Sequence, residues 1–261
     1  MKNILRKIVS AGLILSMMGA MASCASKKSM TVKKGTLTMA TNAYFPPYEY
    51  YEGSDIVGID AEIAKAIADK LGLELVIQDV EFDSIIAGVS SNKYDIGMAG
   101  MTVTPDREQT VNFTTSYATG IQAVIVKQGS EITDVDTLLA GDYKVGVQQG
   151  TTGDIYMSDT PDNGGVGEDR VVRFSKGNDA VLALSTGKVD AVVIDNEPAK
   201  SFVEANEGLT ILPTAYVEEQ YAICINKNNT ELLEKINNAL KELTDDGTIA
   251  AIIEKYIPSN G

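Results

Sequence analysis

The feature that most constrains this chain is a repeated alternation of short apolar strands with helices, joined by short connections. Residues 36–41 read as a strand. Asp60 then reads as an N-cap, and Ile63, Ala64, Ile67, Ala68 and Leu71 form one helical face that ends at Gly72. A strand at 73–80, a short helix at 82–91 with Ile85, Ile86 and Val89 on its buried side, and a strand at 94–99 complete the first run. The alternation resumes with a strand at 143–147, a helix at 151–158, a strand at 171–174 and a helix at 179–185 with Gly187 beyond its end. A buried strand at 189–194, apolar except for Asp190, and a helix at 198–205 follow. Such βα units predict an α/β chain with mainly parallel sheets covered by helices.

The segments D-I-G-M-A-G (95–100) and D-A-V-V-I-D (190–195) are alike, each a buried strand ending at a polar loop. Ligand sites in such sheets lie at the C-terminal ends of strands. Two equivalent strand ends therefore predict two lobes facing one cleft. Extended segments at 117–125 and 219–225 read as crossovers between the lobes, and two crossovers make a hinge that can close around a ligand. The chain then finishes with two helices. Thr230 caps the first, which carries Leu233, Ile236, Leu240 and Leu243 on one face; Gly247 breaks it, and 249–256 forms the second.

The N-terminus reads as a secretory signal peptide over residues 1–23. Lys2, Arg6 and Lys7 are followed by an uncharged stretch from Ile8 to Ser26. Two processing readings remain open. Ala20-Met21-Ala22 fits cleavage by the small-residue rule, whereas Met21-Ala22-Ser23-Cys24 resembles a bacterial lipobox, with Cys24 as the lipid anchor and 24–35 as a flexible tether. The polar stretch after Cys24 favours lipidation, and several acyl chains would hold the protein at the outer face of a membrane. The other cysteine, Cys224, lies in the apolar run Tyr221-Ala222-Ile223-Cys224-Ile225 and reads as an inert core thiol.

The formal net charge is −14; it becomes −17 without residues 1–23, which hold three basic and no acidic residues. Such a chain is not built for nucleic acid. With no His, imidazole chemistry and His metal ligands are excluded. No metal, phosphate or cofactor motif is present.

Five stretches, T-N-A-Y-F-P-P-Y-E-Y (41–50), G-I-D-A-E-I-A-K-A-I (58–67), G-M-T-V-T-P-D-R (100–107), V-Q-Q-G-T-T (147–152) and D-A-V-V-I-D (190–195), together resemble the polar amino acid family of bacterial extracellular solute-binding proteins, which serve ABC importers. The resemblance runs from about residue 36 to 257. It implies a periplasmic-binding-protein-like type II fold: one lobe from 36–118 and 221–261, a second from 119–220, and hinge segments near 117–121 and 218–222. It also implies a monomer that takes a free amino acid and docks on a membrane permease.

The residues support this reading on their own chemistry to different degrees. Arg107 follows Thr102, Thr104, Pro105 and Asp106 at a strand-to-helix junction. Its fork matches a carboxylate with two charge-assisted bonds, although a lone Arg is more often solvated or in a salt bridge. The resemblance assigns it the ligand α-carboxylate, with Thr102, the Gly100 backbone and neighbouring Met101 beside it. Gly150-Thr151-Thr152 opens a helix; this is consistent with carboxylate binding or with plain capping, and the resemblance places Thr151 and Thr152 on the ligand carboxylate. Asp195 ends a buried strand; it suits either a ligand ammonium or an N-cap, and the resemblance favours the ammonium. Phe45 and Phe82 are expected to grip the ligand side chain, with Tyr44 and Tyr48 at the rim.

Asn42 and Gln148 bear on specificity. Amides without a charge favour a neutral polar ligand such as glutamine. Arginine or cystine stay open because nearby Glu49, Asp83 or Asp154 could add charge.

Two rivals share the fold. A dehydratase of cyclic acids needs a tuned acid or base, and no His, catalytic Cys or extra carboxylate pair is evident for that role. A sensor input module needs a membrane span and a signalling domain after Ile257. A non-enzymatic binding protein is the expectation.

Overall fold

The computed structural model describes residues 29–213 and 216–259. The expected signal peptide and the Cys24 anchor lie outside them. Two sheets organise the chain. The first runs in the order Glu74–Asp79, Thr36–Thr41, Ile96–Gly97, Cys224–Asn226, Val111–Phe113. The second runs Val171–Phe174, Val145–Gln148, Ala191–Asp195, Ala118–Lys127, Leu209–Ile211, with Val217–Tyr221 also on Ala118–Lys127. This is a two-lobed α/β fold with two connecting strands.

The pairing is parallel between Thr36–Thr41 and both Glu74–Asp79 and Ile96–Gly97, and between Val145–Gln148 and both Val171–Phe174 and Ala191–Asp195. It turns antiparallel where the long crossing strand Ala118–Lys127 and the returning strands Val217–Tyr221 and Cys224–Asn226 join, so each sheet is mixed. A small three-stranded sheet of Tyr44–Phe45, Glu49–Glu52 and Asp55–Val57 sits beside the first. Its hairpins have no counterpart in the βα reading.

The helix Ile59–Leu71 shows how local sequence makes these elements. Ile59, Ile63, Ala64, Ile67 and Ala68 recur at helical spacing and are all fully buried. Gly72, left-handed at φ 66°, ends it by donating its N–H to Ala68 and Asp69 carbonyls. Its start differs from the sequence expectation. Gly58 occupies the cap position and no side chain caps the helix; Asp60 lies inside the first turn, fully buried. The helix packs against Thr230–Asp245 and Thr248–Tyr256. There, Asn229 rather than Thr230 is the cap, its side chain accepting the Leu232 N–H at 3.3 Å. Burying each Ile or Leu in this seam stabilises the lobe by about 1.5–3 kcal/mol.

The two connecting strands pair side by side, from Ala118 opposite Tyr221 to Gln122 opposite Val217. Tyr221 also bridges to Thr102, and Val103 donates its N–H to the Gln220 carbonyl at 3.1 Å, so the pair is tied into the first lobe. Gly120 lies against the Tyr221 ring so closely that a Cβ there would fall 2.1 Å from Tyr221 Oη. Cys224 is free and fully buried beside them, and burial pushes its thiol up to about 12.

Among the described residues, no helix is long and apolar enough to cross a membrane.

Candidate functional site

The C-terminal ends of the strands in both sheets converge on one cleft. From the first lobe, Thr36–Thr41 delivers Asn42 and the hairpin carrying Phe45 and Glu49. The turn after Glu74–Asp79 delivers Phe82, and the loop after Ile96–Gly97 delivers Gly100 and Thr102 ahead of the helix Pro105–Thr110 with Arg107. From the second lobe, Val145–Gln148 delivers Gln148, Thr151 and Thr152, and Ala191–Asp195 delivers Asp195. All of these line one cavity, together with Ala99. It is nearly shut, about 10 Å³ measured to the centres of water molecules. Met101 is the expected site residue that does not line it. Its side chain is fully buried in the core with Ile85, Val111 and Cys224, and its carbonyl accepts the Ala222 N–H at 3.0 Å.

Arg107 is positioned by its own helix start. Thr104 is the cap, accepting the Arg107 N–H at 3.2 Å, and Pro105 takes the first helical position. Nη1 donates to the Thr102 carbonyl at 2.7 Å, and Nη2 crosses the cleft to the Gly150 carbonyl at 3.0 Å. The guanidinium lies 5.4 Å from the centroid of the Phe82 ring, in cation–π range. Burial lowers its pKa, opposed by the charges of Glu219 and Asp195, and a guanidinium stays protonated under such pressure.

Asp195 precedes the helix Asn196–Ala205, but its side chain makes no capping bond. It accepts the Tyr221 hydroxyl instead. Burial, then the nearby Glu219 charge, pushes its pKa up to about 7. Capping of the helix Thr152–Ser158 falls to Thr151, which accepts the Asp154 N–H at 3.3 Å. Thr152, the first helical residue, keeps its hydroxyl for other work.

Asn42 and Gln148 meet across the cleft, the Gln148 amide donating to Asn42 Oδ1 at 2.9 Å and to the Ser175 carbonyl at 3.1 Å. The Asn42 amide nitrogen is held by the Val80 carbonyl at 2.8 Å. Phe45 stands over Gly100, where a Cβ would fall 2.7 Å from the ring and where φ is +52°, so glycine alone fits. Tyr48 is buried behind Phe45 and Tyr221 rather than at the rim; Tyr44 is half-buried, with Lys176 Nζ 3.5 Å from its ring centroid.

Of the acids named as extra charge, Glu49 alone lines the cleft. Asp83 is exposed and accepts the Gln149 amide at 2.8 Å; Asp154 is held by Arg173 at 2.8 Å and by the Gly150 N–H at 2.9 Å. Glu49 is fully enclosed and within hydrogen-bonding reach of Asp60, and burial holds its pKa well above the carboxylate range. Asp60 in turn accepts the Gly100 N–H at 2.9 Å and the Tyr117 hydroxyl at 2.8 Å. Glu49 Oε2 and Asp60 Oδ1 are buried without a hydrogen-bond partner, and two buried carboxyls so placed disfavour each other's ionisation. Among the described residues, no group of three or more metal-ligating side chains is assembled.

Residues 37–259 match the family described as bacterial extracellular solute-binding proteins, family 3. The chain belongs to this family. It is 33% identical over 241 residues to the arginine-binding extracellular protein ArtP of Bacillus subtilis (strain 168), covering 91% of this chain and 92% of ArtP. Among solved structures, it resembles an ancestral arginine-binding protein bound to arginine, with TM-score 0.79 and 39% identity over 86% of this chain and 99% of that one. The ancestral arginine-binding protein bound to glutamine matches with the same TM-score, 0.79, and the same identity, 39%, over 86% and 99% of the two chains. The family and these relatives are binding proteins, not enzymes.

For this solute-binding protein, sequence reasoning missed Glu219 and Gln122 behind the cleft and underused Glu49. Glu219 carried a signal. In V-E-E-Q-Y, burial alternates, and Glu219 and Tyr221 take the inward positions.

Proposed function

We propose that this chain is the solute-binding component of an ABC importer, capturing arginine and delivering it to a membrane permease. The observation that carries the reading is a buried cleft whose two lobes supply opposite charges: Arg107 from the first and Asp195 from the second. That arrangement fits the α-carboxylate and α-ammonium of an amino acid zwitterion, each met by its counter-charge in a low-dielectric site.

The far end of the cleft selects the side chain. Both Gln148 amide hydrogens are spent on Asn42 and Ser175, and one of the two Asn42 amide hydrogens on Val80. What remains there is mostly acceptor oxygen, with one Asn42 N–H, between the aromatic walls of Phe45 and Phe82. Acceptors and ring faces suit a guanidinium and disfavour a carboxylate. Arginine is also named in the matched relatives. Glutamine is the second reading, because its amide donates to the same acceptors and an ancestral relative has been solved with it.

With so little free volume, entry requires the lobes to part about the strand pair Ala118–Lys127 and Val217–Tyr221, and closure requires them to meet again. A lipid on Cys24 would keep the protein beside its permease at the outer face of the membrane.

The test is thermal unfolding of the protein begun at residue 24 against each of the twenty amino acids and cystine. A ligand at a hundredfold excess over its Kd stabilises the folded state by about 2.7 kcal/mol. Arginine is expected to raise Tm most, glutamine less and glutamate not at all. No response to any amino acid would refute the reading.

A further inference from the structure

We propose that Glu219, which does not line the cleft, is a positioning residue that fixes the hydrogen-bond polarity of the ligand site, making Thr102 an acceptor for the α-ammonium and, through Gln122, Thr152 a donor for the α-carboxylate. The proposal rests on the amino-acid reading above and deepens it.

The argument is a count of hydrogens. Glu219 is buried on the second connecting strand. Its Oε2 accepts two bonds, from Thr102 Oγ1 at 3.0 Å and from Gln122 Nε2 at 3.0 Å. A threonine hydroxyl has one hydrogen. Thr102 spends it on Glu219, so toward the cleft it presents lone pairs and can only accept. Gly100 behaves alike: its N–H is spent on Asp60, which leaves only its carbonyl for a ligand. Thr102, Gly100 and Asp195 thus form one acceptor wall, suited to an ammonium.

Thr152 is set the other way. Gln122, on the first connecting strand, donates to Thr152 Oγ1 at 3.4 Å. That occupies a lone pair and leaves the hydroxyl hydrogen free to donate. With the Arg107 fork it forms the donor wall, suited to a carboxylate. The Gln122 amide is oriented by the same Glu219 oxygen, so one carboxylate governs a ligand residue in each lobe. Gln122 Oε1 and Glu219 Oε1 are buried without partners, so this cluster is not assembled merely to satisfy polar groups.

The test uses two ligand series on the folded protein by calorimetric titration. Arginine is compared with 5-guanidinopentanoate, which lacks the α-ammonium, and with agmatine, which lacks the carboxylate; glutamine and its des-amino analogue glutaramate repeat the first comparison. In Glu219→Met, the preference for arginine over 5-guanidinopentanoate is expected to fall at least about tenfold, and Glu219→Gln, which keeps an acceptor oxygen, is expected to restore most of it. Gln122→Met is expected to spare that preference and to reduce the preference for arginine over agmatine. That split is independent of whether Glu219→Met folds. Folded Glu219→Met with wild-type preferences, or Gln122→Met weakening all ligands equally, would overturn the proposal. Wild-type protein binding neither arginine nor glutamine would instead overturn the reading on which it rests.

Discussion

Arg107 of the first lobe donates to the backbone carbonyl of Gly150 in the second at 3.0 Å. The residue suited to the ligand carboxylate is thus also a bond across the cleft. Gln148 with Asn42 and Gln149 with Asp83 cross it as well, at 2.9 and 2.8 Å. Three of the residues proposed to meet the ligand, Arg107, Asn42 and Gln148, thus also join the two sides of the cleft.

A first consequence concerns the fork geometry. Arg107→Lys keeps the charge but loses the planar pair of donors, so it cannot hold the Thr102 carbonyl, the Gly150 carbonyl and a carboxylate together. Losing one to two charge-assisted bonds, each about 1.5–3 kcal/mol, is expected to weaken arginine binding by at least about tenfold. Calorimetric titration of the variant checks this.

Stability should depend on pH in an unusual direction. Burial raises the folded-state pKa of Asp60 to about 6 and of Asp195 to about 7, and holds Glu49 well above its ordinary value. The unfolded chain releases these protons near pH 4, whereas the folded chain keeps them. The folded state therefore binds more protons across that window, and stability falls as pH rises from about 4 through 7. Thermal unfolding is expected to show a higher Tm at pH 5 than at pH 8, with the slope flattened in Asp195→Asn.

Ligand affinity should run the opposite way. An α-ammonium needs ionised Asp195, so binding below the Asp195 pKa of about 7 must first expel a proton. Arginine affinity is expected to fall as pH drops from 8 to 5, by up to about tenfold per unit where Asp195 is protonated. Proton release on binding, measured by titration in buffers of different ionisation enthalpy near pH 6, checks the same point.

The Glu49–Asp60 pair gives a cleaner variant. Because burial holds the Glu49 pKa well above its ordinary value, Glu49→Gln replaces a side chain that favours its neutral form by a neutral one of similar shape. It is expected to leave Tm at pH 7 within a few degrees of wild type. Glu49→Ala, which leaves a cavity and removes the partner of buried Asp60, is expected to cost about 2 kcal/mol or more.

The βα alternation was legible because buried strands and amphipathic helices carry distinct periods, as Ile63, Ala64, Ile67 and Ala68 show. Arg107, Thr152 and Asp195 were legible because each sits where a strand ends and a helix begins, and their motifs fall in a recognisable order. Asp60 was not: an Asp just ahead of an apolar helical face looks like a cap. Gly58 makes that turn instead, and Asp60 faces inward to the Gly100 N–H and the Tyr117 hydroxyl. Met101 shares a motif with Thr102, yet its side chain turns into the core beside Ile85, Val111 and Cys224. The pairings of Glu219 with Thr102 and Gln122 join residues far apart in the chain, and local periodicity cannot show such contacts. The Glu49–Asp60 contact depends likewise on how the small three-stranded sheet folds over the helix Ile59–Leu71.

The most direct test is calorimetric titration of arginine into wild-type protein, Arg107→Ala and Asp195→Asn at pH 8. Saturable binding to wild type, weakened at least about a hundredfold in each variant, is the expected result. Wild-type affinity in either variant would contradict the assignment of the ligand α-groups to this pair.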